Sequence, residues 1–361
     1  MRFLIRSAKP ADVPHLCRLA EQAQLLNLPP DKAIIRRKVE LSVCSFASCP
    51  PPADAEYVFV LEDLESNRVI GSSLIIAHYA CLESPHFYLD IMPQVQLHET
   101  APAGSRYDCL KLGSDTGGIS TVGGLIVDAD YRGKKLGRSI SLIRFVYMCM
   151  FPERFERKVL SELVGPTIEE NINPFWEALG RRFTGLPYDE AFKMAAQKRK
   201  GYLDRFPREG IQLSGLDPEI RPCRERVVPG SGQAEQHLLE SVGFRYLNRV
   251  DPLDGGIMYG AMLDQISIVR DGVLCRVTPA PVEVCRSSAL VGLIREGQFL
   301  GGQFPVGKSS YTTTLPDEVL RSLCLTNGDR VCVVPFTRAT DHQNTPLDSS
   351  PPGSVPLSSR E

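Results

Sequence analysis

A basic, glycine-bearing turn between a predicted strand and a predicted helix is the segment whose residue types most directly suggest chemistry. It reads DADYRGKK over 128–135, after a strand end rich in β-branched residues. Backbone N–H groups at a helix N-terminus attract anions, and lysine and arginine side chains add charge. The turn is therefore a candidate phosphate site, and an ordinary strand–helix turn with solvated lysines is the alternative. The predicted contributors are Arg132, Gly133, Lys134, Lys135, Leu136, Gly137 and Arg138.

Other common chemistries find less support in the residue types. The six histidines show no metal-ligand spacing, so we expect no metal site. The eleven cysteines form no Cys-x-x-Cys pair, and we expect reduced thiols in a cytoplasmic protein. A formal charge of −2 argues against a nucleic-acid partner, whose binding depends on neutralising phosphates. The chain has no run of about 18 apolar residues, so we expect no membrane span.

The elements that must position the turn follow from hydrophobic periodicity and from glycine and proline positions. Ile119–Val127 is a predicted strand that Gly123 and Gly124 weaken in the middle, and Leu136–Met150 is the helix after the turn. We expect Ser84–Asp115 to be irregular. The other predicted strands are Tyr57–Glu62, Val69–Ala77 and Lys158–Val164, and further helices are expected at Pro174–Leu179, Tyr188–Leu203, Ala234–Val242 and Leu315–Leu325.

The length of 361 residues exceeds that of one small module and suggests more than one compact unit. Residues 1–267 are predicted to form the main domain, with two related lobes at about 1–165 and 166–267. Residues 268–337 have short β-branched runs with frequent glycine and proline, which favours a small β-rich domain. The tail 338–361 has almost nothing to bury and is expected to be disordered.

The turn resembles the acyl-CoA-binding signature of the GCN5-related N-acetyltransferases. Arg132 and Gly137 match the two ends of that signature, whereas Lys135 occupies a position where the family prefers glycine. The resemblance implies that amides of the turn bind the pyrophosphate of coenzyme A. It also implies that the strand before the turn is splayed and that its backbone binds the pantetheine arm. The strand residues concerned are Leu125, Ile126 and Val127.

Four further segments resemble the arginine N-succinyltransferase family in the same order along the chain. They are YVFVLED (57–63), LIVDADYR (125–132), NPFWEALGRRF (173–183) and VGFRYLNRVDPLDGG (242–256), and LTNGDRVCVVP near the end resembles the extension of the family's alpha chains. The resemblance covers roughly residues 1–270. It implies an α+β fold with mixed acyltransferase-type sheets and succinyl transfer from succinyl-CoA to the α-amino group of arginine or a related amino acid. A homo- or hetero-oligomer with a sister chain, without a metal, would fit the same family.

The sequence departs from the family where chemistry is expected. The family's histidine acid, in a Val-His-Pro segment, is replaced by Val228, and a second histidine-bearing segment reads FPREGIQ over 206–212. Three alternatives stay open: a working enzyme that uses other groups, an acyltransferase for another amine, or a weakly active or non-catalytic partner subunit. Each replacement candidate could also be a solvated charge. The candidates for proton transfer are Asp115, Glu162, Glu169 and His237.

Overall fold

The computed structural model describes residues 2–23, 25–96, 105–165, 172–199, 201–213, 228, 232–308 and 312–335. The described strands are β1 Phe3–Ser7, β2 Glu56–Asp63, β3 Arg68–Ile76, β4 His86–Gln96, β5 Ser105–Asp115, β6 Ile119–Val127, β7 Lys158–Glu162, β8 Ile211–Gln212, β9 Arg245–Val250, β10 Ile257–Met262, β11 Val273–Pro279, β12 Ser287–Arg295, β13 Gln298–Lys308, β14 Thr312–Leu315 and β15 Arg330–Pro335. The predicted tail lies outside the described residues.

The helices cover the two faces of this sheet. They are α1 Val13–Ala20, α2 Lys32–Ala47, α3 Leu136–Met150, a π-helical turn Trp176–Gly180 that continues into α4 Arg181–Thr184, α5 Tyr188–Ala196, α6 Gly232–Ser241, α7 Ser267–Asp271 and α8 Asp317–Ser322. The single helix predicted over 188–203 is wrong in part. Its last residues form a separate 3-10 turn, Gly201–Arg205, because Lys198 adopts a positive φ of 59° that ends the helix.

One mixed sheet runs through the described strands in the order β12-β15-β11-β14-β13-β1-β2-β3-β6-β7-β10-β9-β4-β5-β8. Strands β6 and β7 are parallel neighbours, whereas β6 is antiparallel to β3 and β7 is antiparallel to β10. Parallel neighbours need a crossover, which α3 supplies. The basic turn at 128–135 therefore lies in a strand–helix–strand unit at the centre of the sheet.

Both faces of the central strands are buried, which explains their nearly continuous apolar sequences. On β2, Tyr57 and Phe59 pack with α3 residues such as Ile143 in the largest core cluster. Val58 and Val60 on the same strand pack in a second cluster with residues of α1 and α2. Helix α6 shares the α3 face, where Phe244, beyond the end of α6, packs against Phe145 with tilted rings at a centroid distance of 5.6 Å.

The expectation of an irregular Ser84–Asp115 segment is wrong. This part of the chain forms β4 and β5, which pair residue by residue from His86–Asp115 to Gln96–Ser105. The alternation of large and polar residues in HFYLDIM is that of a half-exposed strand, and the proline at 93 concealed it. The hairpin joins the sheet beside β9, where Leu89 pairs with Val250.

The strands β11–β15 continue the same sheet, because β13 pairs with β1 through Ile5–Gly301 and Arg6–Leu300. They also enclose their own apolar cluster, in which Val277, Val291 and Leu323 are fully buried. The strands of both predicted regions thus share one hydrogen-bonded sheet. The division into two lobes within 1–267 and a separate domain at 268–337 stays a prediction.

Candidate functional site

Strands β6 and β7 separate after a short stretch of pairing. They are paired from Ile119–Lys158 to Val122–Ser161. Beyond this point β6 continues along β3, whereas the chain after β7 follows β10, with the Leu163 N–H donating to the Ile257 carbonyl at 3.0 Å. We call the divergence between residues 123–127 and 162–165 the β6–β7 opening. Its apex is at Glu162, and its mouth is the turn at 128–135.

The β6 edge of the opening has an irregular backbone. The register with β3 shifts between Ser72 and Leu74, so β6 carries one extra residue there, and Gly124 has a positive φ of 60°. A side chain at Gly124 would meet Leu74 carbon atoms at 2.7 Å, so conformation and packing both require glycine. The predicted weak centre of this strand is therefore a β-bulge, which re-aims backbone groups locally.

Side chains from three elements hold this bulge. Asn27, in the loop between α1 and α2, accepts a hydrogen bond from the Gly124 N–H at 3.0 Å. Arg144 of α3 donates to the Gly123 carbonyl at 3.2 Å, and the Ser72 hydroxyl donates to the Gly124 carbonyl at 2.9 Å. The polar backbone at the apex is thus fixed from both faces of the sheet.

Arg144 is fully buried, and several hydrogen-bond and ion-pair partners offset the cost of removing its charge from water. It also donates to the carbonyl and the hydroxyl of Ser141, at 2.8 and 2.6 Å, and its guanidinium lies 3.9 Å from Glu235 of α6. Burial lowers the pKa of Arg144 to about 10, and burial raises the pKa of Glu235. This ion pair joins α3 to α6, the two helices on one face of the opening.

At the mouth, the turn leads into an α3 N-terminus that carries no side-chain cap. Lys135 precedes the helix with a positive φ of 60°, and no side chain accepts a hydrogen bond there as an N-cap. Gly133 also has a positive φ, of 78°, and nothing lies within 4 Å of where its side chain would be. Four residues of the turn, 132–135, are exposed. The first helical N–H groups and the exposed cations form the surface that an anion would meet.

The predicted cofactor residues come together around this mouth. The Arg132 guanidinium donates to the Val127 carbonyl at 3.2 Å, and the Lys134 ammonium lies 4.6 Å from the Tyr131 ring centre. A cavity of about 530 Å³ opens beside the turn. Its walls include Lys134, Lys135, Leu136 and Ser139 from the turn and helix, Arg2 and Arg286 just before β1 and β12, and Ser288 and Gln303 from β12 and β13.

At the apex, the last residue of β7 belongs to a buried polar cluster. Glu162 Oε1 lies 2.6 Å from His86 Nε2, and the Tyr79 hydroxyl donates to Glu162 Oε2 at 3.2 Å. His86 is 3% exposed, whereas the Glu162 side chain is 17% exposed. The Glu162 carboxylate is therefore partly exposed to solvent, while His86 and Tyr79 each contact one of its oxygens.

Two more carboxylates, in the turn between β9 and β10, face this cluster. Burial raises the pKa of Asp251 well above its ordinary value, and the nearby Asp254 and Glu162 carboxylates raise it further. Burial also raises the pKa of Asp254 to about 6. The Asp254 oxygens accept hydrogen bonds from the N–H groups of Gly256 at 2.7 Å and Gly165 at 3.1 Å. Three carboxyl groups therefore lie close together at the apex, and a bound cation would favour their ionised forms.

The other predicted candidates do not join the apex. Asp115 accepts from Arg249 at 3.1 Å in an ion pair that also includes Asp90. His237 lies on the exposed side of α6, and Val228 is buried in the main core cluster. Glu169 lies outside the described residues. Of the four proton-transfer candidates, Glu162 alone is placed by the described structure beside the opening.

A comparison with known protein families shows which family this chain belongs to. Residues 3–268 match the family described as arginine N-succinyltransferase beta subunit. This chain belongs to the arginine N-succinyltransferase family. The predicted resemblance over roughly residues 1–270 is thereby confirmed, and the predicted α+β fold with a mixed acyltransferase-type sheet is confirmed by the strand order together with the solved relative below.

Individual relatives of the arginine N-succinyltransferase family agree with this assignment. The arginine N-succinyltransferase of Enterobacter sp. (strain 638) is 29% identical over 287 residues, which cover 78% of this chain and 83% of the relative. The enzyme of that name from Escherichia fergusonii is 28% identical and covers 84% of this chain and 83% of its own length. The solved arginine/ornithine succinyltransferase subunit AI from Pseudomonas aeruginosa is 26% identical, with a TM-score of 0.82 over 93% of this chain and 99% of its own.

Sequence reasoning missed three apex residues of this family member. His86 lies in the hairpin that was expected to be irregular, and Asn27 is an ordinary loop residue by sequence. Tyr79 follows β3 without any motif. Their contacts with β6 and β7 span 76 to 97 positions along the chain, so the local pattern carried no signal for them.

Among the described residues, no helix is long and apolar enough to span a membrane.

Proposed function

We propose that this chain transfers a succinyl group from succinyl-CoA to the α-amino group of arginine. The observation that carries the proposal is the β6–β7 opening, which has exposed cations and an uncapped helix N-terminus at its mouth and buried carboxyl groups at its apex. From Val122 to Val127 the β6 edge is about 16 Å long at a strand rise of about 3.3 Å per residue. That length is on the scale of an extended pantetheine arm.

The residues at the mouth fit coenzyme A by chemistry. The pyrophosphate would meet the N–H groups of 136–138 and the charges of Lys134, Lys135 and Arg138, and the pantetheine arm would follow the backbone of Leu125–Val127. The thioester would then lie near Gly124. The Gly124 N–H is a candidate donor to the oxyanion, once the Asn27 side chain gives way to the thioester carbonyl.

The residues at the apex fit a cationic acceptor. A positively charged amino acid would favour the ionised forms of Glu162, Asp251 and Asp254, and Glu162 is the partly exposed member of this group. Its carboxylate takes one proton from the α-ammonium group and leaves the nitrogen lone pair free to attack. We therefore assign the role of base to Glu162.

The overall transfer balances without a covalent enzyme intermediate. The nitrogen lone pair forms the N–C bond to the thioester carbonyl, and the C–S bond breaks with its electron pair on sulfur. The attacking ammonium group loses two protons in total. One ends on the coenzyme A thiol and the other leaves through Glu162 to solvent, so the products are succinylarginine, coenzyme A and one proton.

A partner subunit with little activity of its own is the second candidate function. It is favoured by Val228, a buried valine at the position where the resembling family has its histidine acid. The solved relative from Pseudomonas aeruginosa is one subunit of an arginine/ornithine succinyltransferase, so ornithine is a further acceptor to test. A homo- or hetero-oligomeric assembly is part of this second proposal.

The thiol released from succinyl-CoA tests both candidates. The purified chain should release free thiol with arginine present and none without it, and ornithine and acetyl-CoA measure acceptor and donor selectivity. A flat trace at high protein concentration contradicts the stand-alone enzyme. Calorimetric binding of coenzyme A without turnover would then identify a binding subunit.

A further inference from the structure

We infer that His86 is a positioning residue that orients Glu162 and keeps its carboxylate ionised for the acceptor amine. The inference rests on the proposed function and deepens it, because it names the residue that positions the proposed base Glu162. His86 comes from the β4–β5 hairpin, and Glu162 comes from the end of β7. The two side chains meet because the hairpin joins the sheet on the far side of β10 and β9.

The contact geometry fixes the carboxylate at both oxygens. The His86 Nε2–Glu162 Oε1 distance of 2.6 Å is that of a charge-assisted hydrogen bond. The Tyr79 hydroxyl donates to Oε2, and the Tyr79 ring packs against the His86 ring in a tilted arrangement at a centroid distance of 5.1 Å. The His86 ring also lies 6.0 Å from Tyr88. The imidazole therefore has little freedom to turn.

The other ring nitrogen determines which proton state this packing favours. His86 Nδ1 is buried and has no hydrogen-bond partner among the described residues. An imidazolium would leave a charged N–H donor unpaired there, which costs more than an unpaired acceptor. The neutral ring with its proton on Nε2 satisfies the short contact and leaves only a lone pair at Nδ1. In this state His86 donates to an ionised Glu162.

The surrounding groups keep the site selective for cations. The carboxylates of Asp251 and Asp254 lie in the β9–β10 turn, and the phenols of Tyr188 and Tyr202 approach that pair from the segment after β7. A neutral His86 adds no positive charge to the cluster and therefore does not repel the acceptor. A protonated His86 would cancel the charge of Glu162 and would compete with the acceptor ammonium.

A second histidine–glutamate pair in the chain is a matched control. His78 Nδ1 lies 2.8 Å from Glu156 Oε1, and their side chains are 45% and 32% exposed. It has the same chemical groups as the inferred pair, and it lies at the protein surface. A pair at the surface contributes little, because water screens it.

The variants His86→Phe, His86→Gln and His78→Phe test the inference in the full chain. We expect His86→Phe to lower kcat about tenfold and to leave KM for succinyl-CoA unchanged. Its acid limb of kcat/KM for arginine should move up by about one pH unit, because a carboxylate that loses a donated hydrogen bond holds its proton more tightly. His86→Gln keeps a donor and should restore most of kcat, whereas His78→Phe should match the wild type.

The outcomes separate positioning from simple packing. Equal losses in His86→Phe and His86→Gln with an unshifted pH profile would overturn the inference. So would an unchanged kcat in both variants.

A second readout needs no activity and therefore separates this inference from the proposed function. Nitrogen-15 spectra of the histidine rings should show His86, assigned by the signal lost in His86→Gln, as the neutral Nε2–H form at pH 7.5. An imidazolium or an Nδ1–H form would contradict the inference even in an active enzyme. A neutral Nε2–H ring in a chain that releases no thiol would overturn the proposed function alone.

Discussion

The two ends of the β6–β7 opening handle charge in opposite ways. At the mouth, the cations of residues 132–135 are exposed and lie beside uncapped helix N–H groups. At the apex, Asp254 is 8% exposed, and Glu162 is held by a buried histidine and a tyrosine. Exposed cations cost the fold little, whereas buried carboxylates must be held by specific donors. Affinity for an anion can therefore come from a local turn, while recognition of a cation needs the whole sheet.

The nearly neutral total charge of the chain conceals this contrast. The 41 basic and 43 acidic residues leave a formal charge of −2, which says nothing about where the charges lie. The exposed cations lie at the mouth, whereas the clustered carboxyl groups lie at the apex. The proposed substrates have matching charges, since coenzyme A carries phosphates and arginine carries a guanidinium.

The largest expected effect tests the apex. Glu162→Gln should lower kcat by about 10²–10⁴-fold, the usual contribution of a general base, and should leave KM for succinyl-CoA unchanged. Steady-state thiol release at several arginine concentrations measures both constants.

Glu156→Gln is the control, because this glutamate forms the exposed pair with His78. If Glu162→Gln retains more than half of the wild-type kcat, the apex does not supply the base.

The next effect tests the mouth. Arg132→Glu combined with Gly137→Asp should weaken coenzyme A binding about tenfold or more, because two added carboxylates repel the phosphates. The double variant should fold, since a side chain at Gly137 meets Val127 at an ordinary 3.7 Å and an acid in the first helical turn is favourable. Calorimetric titration with coenzyme A measures the change, and an unaltered affinity would refute the assignment of the turn.

The smallest expected effect is on the stability of the fold, which the buried Asp254 carboxylate lowers. The pKa of Asp254 is raised by burial to about 6, above the ordinary value near 3.8, so the folded state binds this proton more tightly than the unfolded state does. The protonated form is therefore the favourable one, and stability is lost as the pH rises from about 4 to 6. Asp254→Asn removes this loss, which amounts to about 1–3 kcal/mol.

Melting temperatures at several pH values check this prediction. The difference in melting temperature, variant minus wild type, should become more positive by several degrees between pH 4 and pH 7. The comparison within each pH cancels the other titrating groups. A constant difference would show that the Asp254 carboxylate carries no such cost.

The sequence allowed the elements around the mouth to be predicted because they are local in the chain, whereas their role in binding coenzyme A stays a prediction. The strand, the turn and the helix lie within 119–150, and the glycine pair predicted a weak strand centre, which the structure shows to be a β-bulge. Glu162 was one candidate among four, and nothing in its neighbours separated it from Asp115. The separation came from pairing: the hairpin that brings His86 to Glu162 binds Asp115 to Arg249 instead. Which side chains become partners depends on the order of the strands in the sheet, and the hydrophobic periodicity of a single segment does not encode that order.

Calorimetric titration of coenzyme A and of arginine into Glu162→Gln and into the Arg132→Glu, Gly137→Asp double variant tests the central claim most directly. If the two ends of the opening bind separate substrates, the first variant loses affinity for arginine and keeps that for coenzyme A, and the double variant does the reverse. Loss of both ligands in either variant, or loss of neither, would contradict the division of the opening into a cationic mouth and an anionic apex.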